Sequence, residues 1–394
     1  MQFVLVLNCG SSSLKFAVMN PTSGDVLLNG TAERLGHDVG SLTVKDESGK
    51  AVQEIKPGTH AQALELIVET LKTKNLMDKI AAVGHRLVHG GEFFKESVVI
   101  NNEVREKVAE CIRLAPLHNP ANITGIEAAL KVFPKLPQVG VFDTAFHQQM
   151  PEKAYLYPLP RKFYEEFHIR RYGFHGTSFR YIASQLESVT GLKNPRTVVC
   201  HLGNGGSLAA IKDGHSVDTT MGLTPLEGIV HGTRCGDIDP AIIQILQKQF
   251  HISATEMNEI LWKKSGLLGL SGISNDCRSL EEAMAEGNEA AIRALEVYCY
   301  RLAKHIAAQM VALNGCDALV FTGGIGENSA FVRANTMEQL AFLGFELDKK
   351  ANEETSRGKQ GKISTANSKP VWVIPTNEEL LIARDTAQLS GMTR

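Results

Sequence analysis

The sequence predicts an α/β protein made of two related halves. Two apolar strands, residues 3–8 and 197–202, are each followed by a turn of Gly, Ser and Asn residues and then by a second strand. Helical stretches, with apolar residues three or four positions apart, lie between the strands. Strands that alternate with helices indicate mixed sheets covered by helices.

The repeat is supported at two places in each half. Ser13 and Leu14 in the first hairpin correspond to Ser207 and Leu208 in the second. In addition, the apolar strand and polar turn at residues 138–144 resemble residues 317–324. Short Val-rich strands are common enough for chance to be the alternative, but two similarities in the same order favour a duplicated domain.

The clearest helix is predicted at residues 289–313, where one apolar face runs to a stop at Asn314 and Gly315. A domain boundary is expected near residues 148–152, and residues 358–368 are predicted to form a polar loop before a last strand at 371–375. The helix is expected to belong to the core.

Composition excludes several classes of protein. The 394 residues, 43% hydrophobic and 21% charged, suggest a soluble protein of two domains. With 41 basic and 43 acidic residues, nothing favours nucleic acid or a membrane as a partner. The seven cysteines are scattered without a C-x-x-C pair, which argues against disulfides or zinc and favours a cytosolic location. The apolar start is too short for a signal peptide.

Glycine-rich turns are candidates for phosphate binding, because backbone N–H groups can approach phosphate oxygens there. Four such turns are residues 10–13, 90–91, 203–207 and 323–328. There is no P-loop motif. Residues 324–326 begin like a dinucleotide-binding fingerprint, but Ser329 occupies the position of its third glycine, which argues against a dehydrogenase.

Arginines occur among Gly and His residues in three segments, 84–91, 170–176 and 231–237. The planar guanidinium suits a carboxylate or a phosphate, and small neighbours leave space for a ligand, although a structural ion pair is the alternative at each segment. Asp143 ends a strand, where it either faces a ligand or caps the next helix. His118 and His175 each lie close to a Gly or Pro on a predicted loop, and their occurrence together with these arginine segments makes them candidate site residues.

Taken in order, these segments resemble the acetate kinases. The resemblance extends from residue 3 to about residue 385 and is carried by seven motifs: residues 8–16, 85–91, 142–147, 171–178, 201–205, 322–328 and 375–379.

The resemblance implies a duplicated two-domain actin-like (ribonuclease H-like) fold, with mixed sheets flanked by helices around a nucleotide cleft. The expected domains are residues 1–149, completed by a C-terminal helix at 381–394, and the nucleotide-binding residues 150–380. The implied reaction is reversible, Mg²⁺-dependent, in-line transfer of the ATP γ-phosphoryl to acetate, giving acetyl phosphate and ADP, in a cytoplasmic homodimer. A propionate or short-chain acyl kinase is the alternative, and a nucleotide-driven conformational ATPase is a distant one.

The resemblance also assigns roles. Arg86 and Arg234 would hold the carboxylate and the transferring phosphoryl, while Asp143 would position the substrate and the metal-bound phosphates. Asp143 is not expected to act as a base, because acetate is already ionised at neutral pH. His175, supported by His118, would donate to the equatorial oxygens of the transition state.

Further residues are assigned to the metal, the nucleotide and the acyl group. Asn8 and Glu378 would bind Mg²⁺ (Mn²⁺ as a substitute), with Glu379 as the alternative to Glu378. Residues implied to contact the nucleotide are Ser11, Ser13, Lys15, His201, Leu202, Gly203, Asn204, Gly205, Asp276, Cys277, Arg278, Gly324, Ile325, Gly326, Glu327 and Asn328. An apolar cup for the methyl group would comprise Val88, Leu117, Phe174 and Pro225. Valine at position 88 favours acetate, with propionate a poorer substrate, since one methylene is worth about 1–3 kcal/mol.

Overall fold

The structure is a computed structural model that describes residues 2–392. The chain forms two compact units, one of residues 1–148 and 377–394 and the other of residues 149–376. We call them unit 1 and unit 2. The predicted ranges differ from these by a few residues at each boundary, and the assignment of the two domains stays a prediction.

Unit 1 contains one eight-stranded sheet with the order β5-β4-β3-β2-β1-β6-β8-β7. Its strands are β1 (Phe3–Cys9), β2 (Ser13–Met19), β3 (Val26–Glu33), β4 (Gly40–Asp46), β5 (Gly49–Ile55), β6 (Ile80–Leu87), β7 (Val98–Val99) and β8 (Gln138–Phe142). β1, β6 and β8 run parallel, whereas β1 to β5 form an antiparallel meander. β1 is buried along almost its whole length, as expected of a central strand covered on both faces.

Unit 2 contains a six-stranded sheet with the order β11-β10-β9-β12-β14-β13. Its strands are β9 (Thr197–His201), β10 (Ser207–Lys212), β11 (His215–Thr219), β12 (Ala318–Thr322), β13 (Gly361–Lys362) and β14 (Val371–Val373). The predicted loop at residues 358–368 therefore contains a short strand, β13, which pairs with β14.

The helices of the described chain cover both sheets. They are α1 (His60–Thr73), α2 (Asn102–Glu110), α3 (Asn119–Val132), α4 (Glu152–Tyr155), α5 (Lys162–Phe167), α6 (Gly176–Thr190), α7 (Ala241–Gln249), α8 (Ala254–Lys263), α9 (Gly266–Ser271), α10 (Cys277–Ala285), α11 (Glu289–Leu313), α12 (Gly323–Asn328), α13 (Ala330–Gln339), α14 (Lys349–Glu354) and α15 (Glu378–Leu389).

The predicted long helix is confirmed at both ends as α11. The Asn288 side chain accepts hydrogen bonds from the backbone N–H groups of Ala290 and Ala291, and Asn314 ends the helix in the left-handed conformation. The C-terminal helix α15 begins at Glu378 rather than at residue 381, and it packs on β6, β1 and β8 of unit 1. Asn377 caps it by accepting a hydrogen bond from Leu380 N.

The two sheets share one topology, in which strands β3-β2-β1-β6-β8 match β11-β10-β9-β12-β14. The predicted correspondence of the two hairpins is therefore confirmed. The second similarity is wrong in detail, because residues 138–144 include β8, the equivalent of β14, whereas residues 317–324 include β12, the equivalent of β6. Short apolar strands look alike in sequence, and only their hydrogen-bonded neighbours distinguish them.

Candidate functional site

Unit 1 places three predicted site residues side by side on adjacent strands. Lys15 on β2 lies opposite Asn8 on β1, and Asn8 lies opposite Arg86 on β6. Residues in register on neighbouring strands share a face of the sheet. Since Asn8 and Arg86 are near the carboxyl ends of parallel strands, this row lies at the edge where α/β proteins bind ligands.

Arg86 and Asp143 form a two-pronged ion pair. Arg86 Nε donates to Asp143 Oδ1 at 3.0 Å, and Nη2 donates to Oδ2 at 2.7 Å. The Asp143 side chain is 3% exposed and that of Arg86 is 24% exposed. The charge of Asp143 raises the pKa of Arg86 above its ordinary value. Asp143 therefore does not cap the following short helical turn, and Arg86 keeps the two N–H groups of Nη1 and the second N–H of Nη2 for a ligand.

The first turn of α15 brings two carboxylates to the same place. Glu378 Oε2 lies 3.9 Å from Arg86 Nε. Burial raises the pKa of Glu378, and the charge of Asp143 raises it further, while Arg86 and Lys15 oppose the shift. Burial also raises the pKa of Glu379, with Lys15 opposing and Glu378 adding to it. A cation would relieve this crowding of negative charge.

The residues around Asn8 fit a magnesium ion of the kind predicted. No three His, Cys, Asp or Glu side chains within residues 2–392 converge in an arrangement that could hold a metal. Mg²⁺ needs few protein ligands, because water and phosphate oxygens complete its shell. An amide oxygen from Asn8 and a carboxylate from Glu378 are such a limited set. Glu378 lies 3.9 Å from Arg86, the strand neighbour of Asn8, which favours it over Glu379 for this role.

The turn between β1 and β2 is held by its own backbone. Gly10 N donates to Ser13 O at 2.8 Å, and His60 Nε2 lies 2.7 Å from Gly10 O. The Gly10 N–H is therefore already used, which leaves the exposed Ser11 and the half-buried Ser13 as the predicted phosphate contacts of this turn.

The residues predicted to form the acyl pocket differ in how far they are buried. Val88 is half-buried directly after β6, whereas Leu117 is 61% exposed and does not form an apolar cup within unit 1. His118 precedes α3, and its charge adds to burial in lowering the pKa of the buried His89 to about 3. In unit 2, Phe174 is buried and Pro225 is half-buried.

Unit 2 stacks two predicted histidines. The rings of His175 and His201 are 4.3 Å apart. His175 Nδ1 lies 2.8 Å from Ser207 Oγ, and His201 Nδ1 lies 2.8 Å from Ser178 Oγ. His175 adopts a left-handed backbone conformation (φ 56°) at the start of α6, a costly conformation for a residue with a side chain and one that occurs often at functional sites.

Arg234 is a half-buried cation that forms no ion pair with any of residues 2–392. Its Nη1 donates to Pro225 O at 3.1 Å, and its guanidinium carbon lies 5.6 Å from the Trp262 ring. Burial lowers its pKa. A Cβ added to Gly205 would lie 2.9 Å from Nη1, so the glycine turn after β9 lets the cation approach the backbone. A buried cation without an acidic partner favours an anionic ligand.

The arginines at 170 and 171 have structural roles instead. The Arg170 guanidinium stacks on the Tyr155 ring at 3.6 Å. Arg171 Nη1 donates to Thr220 O and Met221 O, and its Nη2 donates to Glu227 Oε1 at 2.6 Å. For the arginines of segment 170–176, the alternative of a structural ion pair is therefore the correct one.

Eight of the residues predicted to contact a nucleotide line one cavity of about 400 Å³ in unit 2. They are Gly203, Asn204, Asp276, Cys277, Arg278, Gly324, Ile325 and Asn328. Two of them also build the walls. Asp276 caps α10, and the Asn328 amide bonds to Gly324 O and to Arg357 N.

Five predicted nucleotide contacts of unit 2 are not among the residues that line this cavity: His201, Leu202, Gly205, Gly326 and Glu327. Leu202 and Gly326 are buried. Glu327 turns inward, where its Oε1 accepts hydrogen bonds from Gly323 N at 2.9 Å and from Thr376 N at 3.1 Å. Its carboxylate thus fixes the end of β12 to the segment that leads into α15.

The sequence reasoning missed Glu281 and Ser329, which also line the cavity and bond to each other. Glu281 lies four residues after Cys277 on α10, so the helical period could have placed it on the same face. Ser329 caps α13, a signal typical of a helix start. No sequence signal places Trp262 beside Arg234.

The duplicated sheets, each with its polar residues at the strand ends, define a member of the actin-like class of α/β folds. Comparison with known proteins identifies the family. A model of the acetokinase family matches residues 3–384. The chain is 52% identical over 391 residues to the acetate kinase of Chromobacterium violaceum, covering 99% of this chain and 98% of that protein. It is 53% identical over 395 residues to acetate kinase 2 of Neisseria meningitidis serogroup B, covering 99% of each.

Solved structures of related proteins lead to the same family as the sequence comparison. The Porphyromonas gingivalis acetate kinase superposes with a TM-score of 0.94 at 46% identity, covering 99% of this chain and 100% of that one. A propionate kinase from Francisella tularensis gives a TM-score of 0.94 at 45% identity, with the same coverage. The chain therefore belongs to the acetokinase family. No helix within residues 2–392 has the length and apolarity needed to cross a bilayer.

Proposed function

We propose that this protein is an acetate kinase, which transfers the γ-phosphoryl of ATP to acetate and reverses the transfer with acetyl phosphate and ADP. Membership of the acetokinase family supports the proposal. The observation that carries it is Arg234, a half-buried cation that lies beside a glycine turn and has no acidic partner within residues 2–392. Phosphoryl transfer depends on positioning and charge neutralisation, and this arginine suits both.

In unit 1, Arg86 would bind an anionic oxygen through the N–H groups that Asp143 does not use, while Asp143 fixes the plane of its guanidinium. Both oxygens of Asp143 accept a hydrogen bond from Arg86, which supports a positioning role rather than a role as a base. Asn8 and Glu378 would hold Mg²⁺, or Mn²⁺ in its place. When bound, the ion would neutralise phosphate charge during the transfer.

In unit 2, His175 would donate a hydrogen bond to an equatorial phosphoryl oxygen, with its ring held by stacking on His201 and by Ser207. His118, which precedes α3, is proposed as a weaker donor in the same step. The cavity lined by Asn204, Asp276 and Arg278 would hold the nucleotide, since its volume of about 400 Å³ is in the range of small-molecule sites.

Propionate is the second candidate substrate. Val88 is only half-buried, so the pocket wall it is proposed to form is not closed by packing within unit 1. One additional methylene changes specificity by about 10–200-fold, and we expect acetate to be preferred without propionate being rejected.

We further propose a cytoplasmic homodimer. All seven cysteines are free thiols. The side chains of Ile242 and Ile245 on α7 and of Phe250 just beyond it are 40%, 46% and 65% exposed, an apolar surface of the kind that protein interfaces cover. Light scattering on wild type and Ile245→Glu would show a dimer that becomes a monomer; a monomeric wild type would overturn this proposal.

Hydroxylamine trapping of the acyl phosphate formed from MgATP tests the function. Wild type is expected to give acetyl hydroxamate faster than propionyl hydroxamate, and Arg86→Ala is expected to be severely impaired. Arg196→Ala is the matched control, because Arg196 makes the same two-pronged pair with Asp317. ATP hydrolysis at one rate with or without acid, and no hydroxamate, would instead favour a conformational ATPase.

A further inference from the structure

Helix α3 lies unusually close to the end of β1. A Cβ added to Gly125 would lie 2.4 Å from Cys9 Sγ, so any other residue at this position would push the helix away from the strand. Because Gly125 has no side chain, the preceding turn of α3 comes within hydrogen-bond distance of the backbone at the strand ends. Two buried asparagines, Asn119 and Asn122, lie on that part of the helix.

Asn122 joins the ends of two parallel strands. Its Nδ2 donates to Cys9 O at 2.8 Å, and its Oδ1 accepts from Val88 N at 2.9 Å. The ladder between β1 and β6 ends at the pair Asn8 and Arg86. A side-chain amide offers the same donor and acceptor as a peptide group, so Asn122 continues the ladder one step beyond the strands.

Asn119 holds the next residue of the same segment. Its Nδ2 donates to His89 O at 3.0 Å and to Val108 O at 3.2 Å. On the other side, Gly90 N donates to Thr144 Oγ1 at 3.0 Å, directly after Asp143. The backbone from Val88 to Gly90 is thus fixed at three successive residues by side chains from α3 and from the end of β8.

These contacts lie where the proposed site residues are. Cys9 follows the proposed metal ligand Asn8, and Val88 is the proposed wall of the acyl pocket, two residues after Arg86. A buried asparagine that only satisfied backbone groups would stabilise the fold wherever it lay. Asn122 instead sets the distance between the segment that carries Asn8 and the segment that carries Val88.

We infer that Asn122 is a positioning residue that fixes Val88 relative to the β1 turn and thereby helps determine the size of acid that the enzyme accepts. The inference rests on the proposed acyl kinase activity. Losing Asn122 would free Val88 N and Cys9 O, and the Val88 wall would move. A misplacement of about 1 Å in a positioned group can cost about 100-fold in rate.

The test compares Asn122→Ala and Asn122→Asp with wild type. Aspartate has the shape of asparagine and can accept from Val88 N, but it cannot donate to Cys9 O when it is ionised. The matched control is Asn20→Ala, because Asn20 is also a buried asparagine of unit 1 whose Oδ1 accepts two backbone N–H groups, those of Thr22 and Ser23. The readouts are kcat/KM for acetate and for propionate, KM for ATP, and the folded fraction from circular dichroism.

Asn122→Ala is expected to lower kcat/KM for acetate by about 10–100-fold. We expect the acetate-to-propionate ratio to fall by roughly threefold or more, with KM for ATP within about twofold of wild type. Asn20→Ala should keep the wild-type ratio even if it lowers stability. If Asn122→Ala does not fold, Asn122→Asp decides by the same ratio.

An unchanged ratio, with activity reduced only in proportion to the folded fraction, would show that Asn122 is merely structural and overturn the inference. That result leaves the proposed function intact, because the acetate-to-propionate ratio can be measured only if the wild type is active. A wild type that forms no hydroxamate from either acid would overturn both.

Discussion

Breaking the pair of Arg86 and Asp143 should cost stability as well as activity, and a double-mutant cycle separates the two effects. Arg86→Ala leaves the 3%-exposed carboxylate of Asp143 without its counter-charge. Removing one partner of a buried pair costs about 3–5 kcal/mol, and the 24% exposure of Arg86 places the expectation near the lower value, about 3 kcal/mol. Asp143→Ala should cost about 2 kcal/mol, since Arg86 is more exposed and has Glu378 at 3.9 Å.

The double variant Arg86→Ala/Asp143→Ala should cost about 3 kcal/mol rather than about 5 kcal/mol, which gives a coupling energy of about 2 kcal/mol. The assay is urea unfolding followed by circular dichroism, with hydroxamate formation measured on the same samples. All three variants are expected to be inactive, although the double variant should lose less stability than the losses of the two single variants added together. The same cycle on Arg196 and Asp317, which are 37% and 39% exposed, should give less than about 1 kcal/mol. Additive effects at Arg86 and Asp143 would refute the view that they act as a buried pair.

Three further predictions concern titration and the glycine turn. Glu378→Gln should abolish activity yet raise the melting temperature, because the raised pKa of Glu378 means that its charged form destabilises the fold. The gain in stability should be full above the pKa of Glu378 in the folded protein and disappear below about pH 4.5. A lower melting temperature at pH 8 would contradict this prediction. Burial lowers the pKa of His85 from 6.5 to about 4, so the unfolded chain binds the extra proton between these values and stability falls with falling pH, by about 2 kcal/mol at pH 5. Unfolding of His85→Gln from pH 7 to pH 4 should lack that part of the loss, and an unchanged pH dependence would count against it. Gly205→Ala should reduce kcat/KM with little change in melting temperature, because its Cβ meets only the flexible end of Arg234; an active variant would remove Arg234 from the proposed site.

Local features of the fold could be predicted because their signals are local. The helix Glu289–Leu313 has an apolar period along its whole length and a stop signal at Asn314, and the structure reproduces both ends. The hairpins after β1 and β9 were predictable from their turn residues. The order of strands was not, because β8 and β12 are both five-residue apolar strands whose positions in their sheets depend on partners far along the chain.

The roles of the arginines show why the site could be predicted only in part. Arg86, Arg171 and Arg234 all lie among Gly and His residues, and the sequence gives each the same chemistry. What separates them is the acidic partner, which lies 57 residues away for Arg86 and 56 residues away for Arg171. Arg171 donates hydrogen bonds from Nη1 and Nη2 to backbone carbonyls and to Glu227, so its role is structural.

After pairing with Asp143, Arg86 keeps the N–H groups of Nη1 and one N–H of Nη2, and Arg234 has no acidic partner among the described residues. An anion that binds Arg234 therefore gains a charge interaction that the protein itself does not satisfy, whereas an anion at Arg86 must share the guanidinium with a fixed carboxylate. This difference makes Arg234 the better candidate for the group whose negative charge changes most during the transfer. Arg86, held in one plane by Asp143, is better suited to orienting an oxygen of the acid, whose charge is already present when it binds.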